Sequence, residues 1–195
     1  MRVGVLLFHA VSELDVVGPI AVLNAAKRFL EDPEALEVST VARSRFSVQT
    51  TAGLTLTPGW AFASAPDYEV LIVPGGAGVR KASRDKAVQA FLDAQRAHLQ
   101  VLASVSSGAL LLGDLGFLRD QKVTSHPEVR EELEAFEVAL VSDDRLVMNP
   151  TGIWCAGGMT AGIDLALALL DYRFGPELAE KVAAFISYPY RAVAS

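Results

Sequence analysis

Apolar residues along this chain fall into two patterns that alternate from end to end. Residues 3–8, 70–73 and 101–105 are short, nearly continuous apolar runs rich in β-branched side chains, the pattern of strands buried on both faces of a parallel sheet. Longer stretches with helical spacing lie between them. In residues 85–98 the apolar positions Val88, Phe91 and Leu92 fall on one side and the charged residues on the other, and residues 108–115, 128–136, 160–170 and 176–185 predict further helices. Ser12-Glu13-Leu14-Asp15 has the form of a capping box opening a helix that runs to about Leu30, with Pro19 placed to kink or reset its first turn. Residues 36–57 change to alternation, as in Val38-Ser39-Thr40-Val41 and Leu54-Thr55-Leu56-Thr57, which predicts strands and a hairpin at the sheet edge. With no repeat, low-complexity tract or linker, the expectation is one α/β domain over residues 1–195, a doubly wound, mostly parallel sheet with helices on both faces.

Composition narrows the function. At 51% hydrophobic and 21% charged, the chain has the apolar material for a full core and is no candidate for disorder. A single cysteine, Cys155, excludes an intrachain disulfide and any multi-cysteine zinc cage; no metal or cofactor is expected, and the count fits a reducing cytoplasm. The balance of 17 Lys and Arg against 23 Asp and Glu, a formal net charge of -6, argues against nucleic acid or an anionic membrane as partner. The apolar run at residues 3–8 is shorter than a signal-peptide core and gives way to His9, Glu13 and Asp15; the stretch 101–118 carries serines, glycines and Asp114 that lipid would not satisfy.

Doubly wound sheets place ligands beyond the carboxyl ends of their strands. Three such ends carry unusual residues: 9–15, Pro74-Gly75-Gly76-Ala77-Gly78, and Ser104-Val105-Ser106-Ser107-Gly108. The glycine loop lacks the Gly-Lys-Ser/Thr of a phosphate loop and has no third glycine in dinucleotide spacing, so it reads as a tight turn or as a source of backbone N–H groups for an oxyanion hole. The serine segment follows the logic of a nucleophile elbow, a strand passing sharply into a helix with small residues on both sides; equally, Ser106 or Ser107 would be a plain helix cap. Asp15 is either an N-cap or a site carboxylate. His9 lines a pocket or lies in a loop, and Trp154 walls an apolar pocket or belongs to the core. Glu128, Glu131, Glu132 and Glu134 read as a solvated helix face.

Five segments in order resemble the DJ-1/PfpI superfamily: Leu14-Asp15-Val16-Val17-Gly18-Pro19, Ile72-Val73-Pro74-Gly75-Gly76, Val105-Ser106-Ser107-Gly108-Ala109, Thr124-Ser125-His126, and the run from Ala156-Gly157-Gly158 to Gly162-Ile163-Asp164. The branch most similar is that of the isocyanide hydratases and the ligand domains of AraC-type regulators. The resemblance implies a flavodoxin-like, class I glutamine amidotransferase-like α/β sandwich, a homodimer, and a small-molecule site near the subunit interface. Members of that family carry a cysteine at the elbow, and in the isocyanide hydratases, as the resemblance implies, its thiolate attacks the isocyanide carbon. An aspartate at the Asp15 position handles protons, and water then releases an N-substituted formamide. Backbone N–H groups at Gly76 and Ser107 would support the nucleophile or developing charge.

Here Ser106 stands at the elbow, and Cys155 lies elsewhere. A thiol of pKa near ~8.5 is ionised by a helix N-terminus, whereas an alcohol is several units less acidic at about 1.4 kcal/mol per unit. Ser106 therefore needs a base, and a carboxylate at Asp15 is too weak to ionise it outright, which makes His126 the candidate. Three functions are compatible with the chain: a hydratase using Ser106, Asp15 and His126; a pseudoenzyme that binds a small molecule as a sensor; and a cysteine enzyme with an engineered Cys-to-Ser elbow. The regulators carry a DNA-reading module after this domain, and a chain ending at Ser195 soon after its last helix is not expected to contain one.

Overall fold

The computed structural model describes residues 1–189; the last six residues of the expected domain lie outside the described residues. Eleven strands are present among them: β1 (Arg2–Leu6), β2 (Glu37–Ala42), β3 (Val48–Gln49), β4 (Thr55–Leu56), β5 (Trp60–Ala61), β6 (Val70–Val73), β7 (Val101–Val105), β8 (Lys122–Val123), β9 (Leu140–Val141), β10 (Leu146–Met148) and β11 (Ile153–Ala156). The α-helices are α1 (Glu13–Ala26), α2 (Val79–Ser83), α3 (Lys86–Gln95), α4 (Gly108–Asp114), α5 (Ala161–Phe174) and α6 (Pro176–Phe185).

One seven-stranded sheet organises the molecule, in the order β10-β11-β7-β6-β1-β2-β5. All its pairings are parallel except β10 with β11. Every residue of β6 and β7, and all of β1 beyond Arg2, is buried, so helices cover both faces, as the continuous apolar runs predict. One helical group is α1, α5 and α6, packed on one another; the other includes α2 and α4, with α4 against β6 and β7. No helix among the described residues is long and apolar enough to cross a membrane.

Local expectations meet the structure unevenly. The helix at 85–98 forms as α3, with the Asp85 carboxylate accepting from the Ala87 N–H at 2.8 Å. The alternating stretch 36–57 divides: β2 joins the main sheet beside β1, while β3 and β4 pair apart as a two-stranded antiparallel hairpin. The capping box does not form. Ser12 occupies the N-cap position, but its N–H donates to the distant Gly75 carbonyl (2.8 Å) and its hydroxyl donates to the Asp15 carboxylate (2.9 Å) in place of accepting from a helix N–H. Helix α1 continues through Pro19 and ends at Ala26; the proline ring packs where a Cβ on Gly162 would sit, 3.1 Å away, so it serves the α1–α5 contact.

The helix expected at 128–136 is instead two 3₁₀ segments, Pro127–Val129 and Glu131–Phe136. Like-charged glutamates three and four apart disfavour an α-helix there, and Phe136 anchors the segment by lying against Gly113. The run is not wholly a solvated face, since Glu132 accepts from Arg80 through both oxygens at 2.7 Å.

Glycines at the strand ends are a matter of space. A Cβ on Gly108 would overlap the Val73 carbonyl, whereas nothing lies within 4 Å of one on Gly158. Gly108→Ala is therefore expected to lower unfolding stability by about 3 kcal/mol in urea titrations, with Gly158→Ala within about 0.5 kcal/mol of the parent.

Candidate functional site

The strand order reverses between β1 and β6: from β1 the chain adds β2 on one side, and from β6 it adds β7 and then β11 on the other. Loops leaving β1 and β6 therefore part there and open a crevice at the carboxyl end of the sheet. A cavity of about 350 Å³ occupies this place, and Ser12, Glu13, Gly76, Ser106, Ser107 and His126 are in its wall.

Ser106 is the turn between β7 and α4. Its φ is +55°, in the left-handed region, a conformation that costs a non-glycine residue of order 1–3 kcal/mol and persists only where the surroundings impose it. Here its N–H donates to the Ala156 carbonyl (3.0 Å) and its carbonyl accepts from the Ser125 hydroxyl (2.7 Å). Both backbone groups are thus committed, while the side-chain hydroxyl makes no hydrogen bond among the described residues. Ser107 sits at the N-cap position of α4 but does not cap it; its hydroxyl accepts from the Gly76 N–H at 3.1 Å. The elbow reading of the sequence describes this turn better than the capping one.

The glycine loop is fixed from both sides. Gly75 donates its N–H to the Asp15 carboxylate at 2.9 Å, and a Cβ there would lie 2.7 Å from the Ser107 nitrogen. Gly76 has φ +127°, and a Cβ on it would run into the chain at Ala10–Ser12. No other residue type fits either position.

Asp15 lies behind the wall of this cavity. It is fully buried and accepts from the Gly75 N–H and, through its other oxygen, from the Ser12 hydroxyl (2.9 Å). Burial raises its pKa from 3.8 to about 6, against the opposing pull of those two hydrogen bonds and of His126. Ser12, which does reach the cavity, connects the carboxylate to it. His126 also lines the cavity, but its Nδ1 accepts from the Glu128 N–H (3.3 Å), and no hydrogen bond joins it to Ser106 among the described residues.

Two expected pocket residues lie elsewhere. His9 is exposed and lines a separate cavity on the far side of α2, because the chain after β1 carries it away from the reversal point. Trp154 is buried near the start of β11, edge-on to Tyr172 with centroids 5.5 Å apart, and the pocket it borders is formed with Gln100 and Val101 at the amino end of β7. Cys155 is fully buried, and burial pushes its thiol pKa up. Sequence reasoning missed Ser12 as a cavity residue, together with Glu13, Arg80 and Met159, whose sulfur is 3.6 Å from the Ser12 hydroxyl. The signal for Ser12 in the sequence is a hydroxyl three residues before a carboxylate, a pattern that equally fits local capping. No group of three potential metal ligands occurs among the described residues.

A mostly parallel α/β sandwich with a strained strand-to-helix elbow and a buried carboxylate at the sheet's reversal point belongs to the flavodoxin-like class of α/β folds. Residues 1–172 match the DJ-1/PfpI family, and the chain belongs to it. The chain is 33% identical over 188 residues to the isonitrile hydratase of Pseudomonas putida, covering 96% of this chain and 78% of that protein. It is 24% identical over 186 residues to the HTH-type transcriptional regulator GbdR of Pseudomonas aeruginosa, spanning 95% of this chain but half of the regulator. Among solved structures it is similar to a THiJ/PfpI family protein from Pseudomonas syringae (TM-score 0.87, 28% identity, 98% of this chain and 77% of that one) and shares the fold of Drosophila melanogaster DJ-1beta (TM-score 0.84, 19% identity, 97% and 98%).

The raised pKa of Asp15 has a consequence for stability. A carboxyl that binds its proton more tightly folded than unfolded stabilises the fold fully below 3.8, and loses that contribution as pH rises through about 6. Asp15→Asn, which does not titrate, is expected to gain on the parent between pH 4 and pH 7 by on the order of 3 kcal/mol. Urea unfolding of both proteins across that range measures the gap; a gap that stays constant with pH means the carboxyl is not raised.

Proposed function

We propose that this protein is a hydratase of small carbon–nitrogen substrates of the isocyanide type, with Ser106 as nucleophile and Asp15 acting on it through Ser12. The observation that carries the reading is the hydrogen bond from the Ser12 hydroxyl to Asp15, with Ser12 and Ser106 in the wall of one cavity. It gives a buried carboxylate that titrates close to neutrality a proton path to the nucleophile's cavity. Similarity to the P. putida isonitrile hydratase over 96% of the chain supports the substrate class.

In this reading the isocyanide carbon sits over Ser106. The proton leaves Oγ as the Oγ–C bond forms, not before, because no group here is basic enough to ionise an alcohol outright. Ser12 accepts it and passes its own to the Asp15 carboxylate. The same relay returns a proton to the isocyanide carbon, giving a serine-linked formimidate. Water adds to that carbon, the carbon–Oγ bond breaks, Ser106 regains its proton, and an N-substituted formamide leaves. The Ser107 amide borders the same space and stabilises developing negative charge, while the Gly76 N–H is held by the Ser107 hydroxyl. His126 also lines the cavity, and its positive charge draws the Asp15 pKa down. As the family resemblance implies, the protein works as a homodimer, and its single cysteine fits a reducing cytoplasm.

A second reading, a sensor that binds without turnover, is favoured by the similarity to GbdR and by the missing hydrogen bond between His126 and Ser106. Formation of formamide from an alkyl isocyanide separates the two. Turnover by the parent, lost at least 100-fold in Ser106→Ala and Asp15→Asn in keeping with the worth of a positioned acid–base group, supports the hydratase. Saturable binding with no turnover in any of the three supports the sensor.

Because Asp15 must start ionised, kcat/KM of the parent is expected to rise with pH through about 6. Ser106→Cys tests the elbow itself: its thiol is expected to titrate below the ordinary value and to react readily with thiol reagents, while the parent stays inert under the same conditions. A thiol of ordinary pKa and low reactivity in that variant would falsify the elbow assignment.

A further inference from the structure

Helix α2 has a second cavity on its other side. Residues Val79 and Arg80 border the elbow cavity, whereas Gly78, Lys81 and Ala82 border a separate space of about 460 Å³ between the carboxyl ends of β1 and β2 and helix α3. Its floor is apolar and buried: Leu7, Phe8, Ala42 and Val88. At its rim Phe46 is 85% exposed, leaving most of the ring free to pack on a guest.

Charge at the rim is predominantly positive. Arg43, Lys81 and Arg84 line it, with Asp85 the only acidic residue in the wall. Asp85 pairs with Arg43 at 3.3 Å. Neither Lys81 nor Arg84 makes an ion pair or a side-chain hydrogen bond among the described residues. A chain of net charge -6 thus sets two unpaired cations at the mouth of an apolar pocket.

These features select a ligand class. A polar or multiply charged guest would lose water against Leu7, Phe8 and Val88 with nothing to replace it. A wholly apolar guest would leave the cations without a role. We propose that this cavity binds a small amphipathic anion, with an apolar body on the order of ten carbon atoms in the pocket and one anionic headgroup at Lys81 and Arg84. The site is independent of the elbow nucleophile and of the hydratase reading.

Calorimetric titration of the full chain with decanoate, 1-decanol and decyltrimethylammonium tests it. Decanoate is expected to bind once per chain, at least tenfold tighter than either of the others, with an affinity that falls as salt is raised. Two exposed ion pairs together are worth on the order of tenfold in Kd, so Lys81→Glu/Arg84→Glu, both on the surface, should weaken decanoate by that factor or more. The variant should bind 1-decanol as the parent does, which also verifies that its pocket is intact. Amide shifts on binding should centre on residues 78–88. Equal affinity for decanoate and 1-decanol, unchanged decanoate binding by the variant, shifts centred on Ser106, or no saturable decanoate binding, as when a second copy covers the cavity, would each overturn the proposal.

Discussion

The hydrogen bond from the Gly75 N–H to the Asp15 carboxylate fixes the geometry on which the site depends. It ties the start of α1 to the loop after β6 across the point where the strand order reverses, where the parallel ladder gives the two loops no partners of their own. The return bond, from the Ser12 N–H to the Gly75 carbonyl, closes the pair. Held between them, Gly76 can donate to Ser107 only from a positive-φ conformation, and that contact sets the residue next to the elbow. A charge-assisted hydrogen bond contributes on the order of 1.5–3 kcal/mol. Burying a carboxylate costs more than its two hydrogen bonds return, which is why the Asp15 pKa rises and does not fall. The carboxyl that organises the loops is therefore also one whose proton is available near neutral pH.

Position and chemistry are separable at the elbow. The turn is imposed by backbone partners of Ser106 in β11 and at Ser125, and by the lack of room for a side chain at Gly108. None of these contacts involves the Ser106 side chain. The fold accordingly presents whatever residue stands at 106 in the same strained conformation, and the hydroxyl or thiol decides only what can be done there. With a hydroxyl, ionisation in advance of attack is out of reach, so proton transfer has to accompany bond formation. That requirement gives the Ser12–Asp15 pair its importance in the reading proposed above.

Where the chain's own pattern carries the physics, the sequence is legible. Strands β6 and β7 and helix α6 begin and end where the apolar runs predict, because burial on both faces keeps the strands apolar but for the small Ser104. Ser106, Ser107 and Gly76 follow the carboxyl ends of β7 and β6, and Asp15 lies in the first turn of α1 after β1, as the same topology predicts. What failed was local chemistry overridden by distant partners. Ser12 reads as a cap from its neighbours, yet Gly75, sixty-three residues on, takes its N–H. Residues 128–136 read as an α-helix from composition, yet like charge and the Phe136 anchor hold them in 3₁₀ geometry. For His9 and Trp154 residue type leaves the pocket open beside a loop or the core, and only the three-dimensional course of the chain separates the two sides of α2 and the two ends of the sheet.

The lone thiol sharpens the same point. Cys155 pairs in register with Ser104 on β7, two residues before the elbow, but inside the sheet and not at its end. Complete burial raises its pKa, and a thiol held protonated in an apolar strand is neither a nucleophile nor a ready target of oxidants. No movement of a side chain carries it to the elbow cavity, because the sheet's hydrogen bonds hold its backbone in the layer below. The thiol therefore takes no part in a covalent step in this cavity, and the residue at the elbow carries a hydroxyl. The reactivity of the site then rests less on the nucleophile's own acidity, as it would with a thiolate, than on how well Ser12 and Asp15 move a proton while the bond is forming.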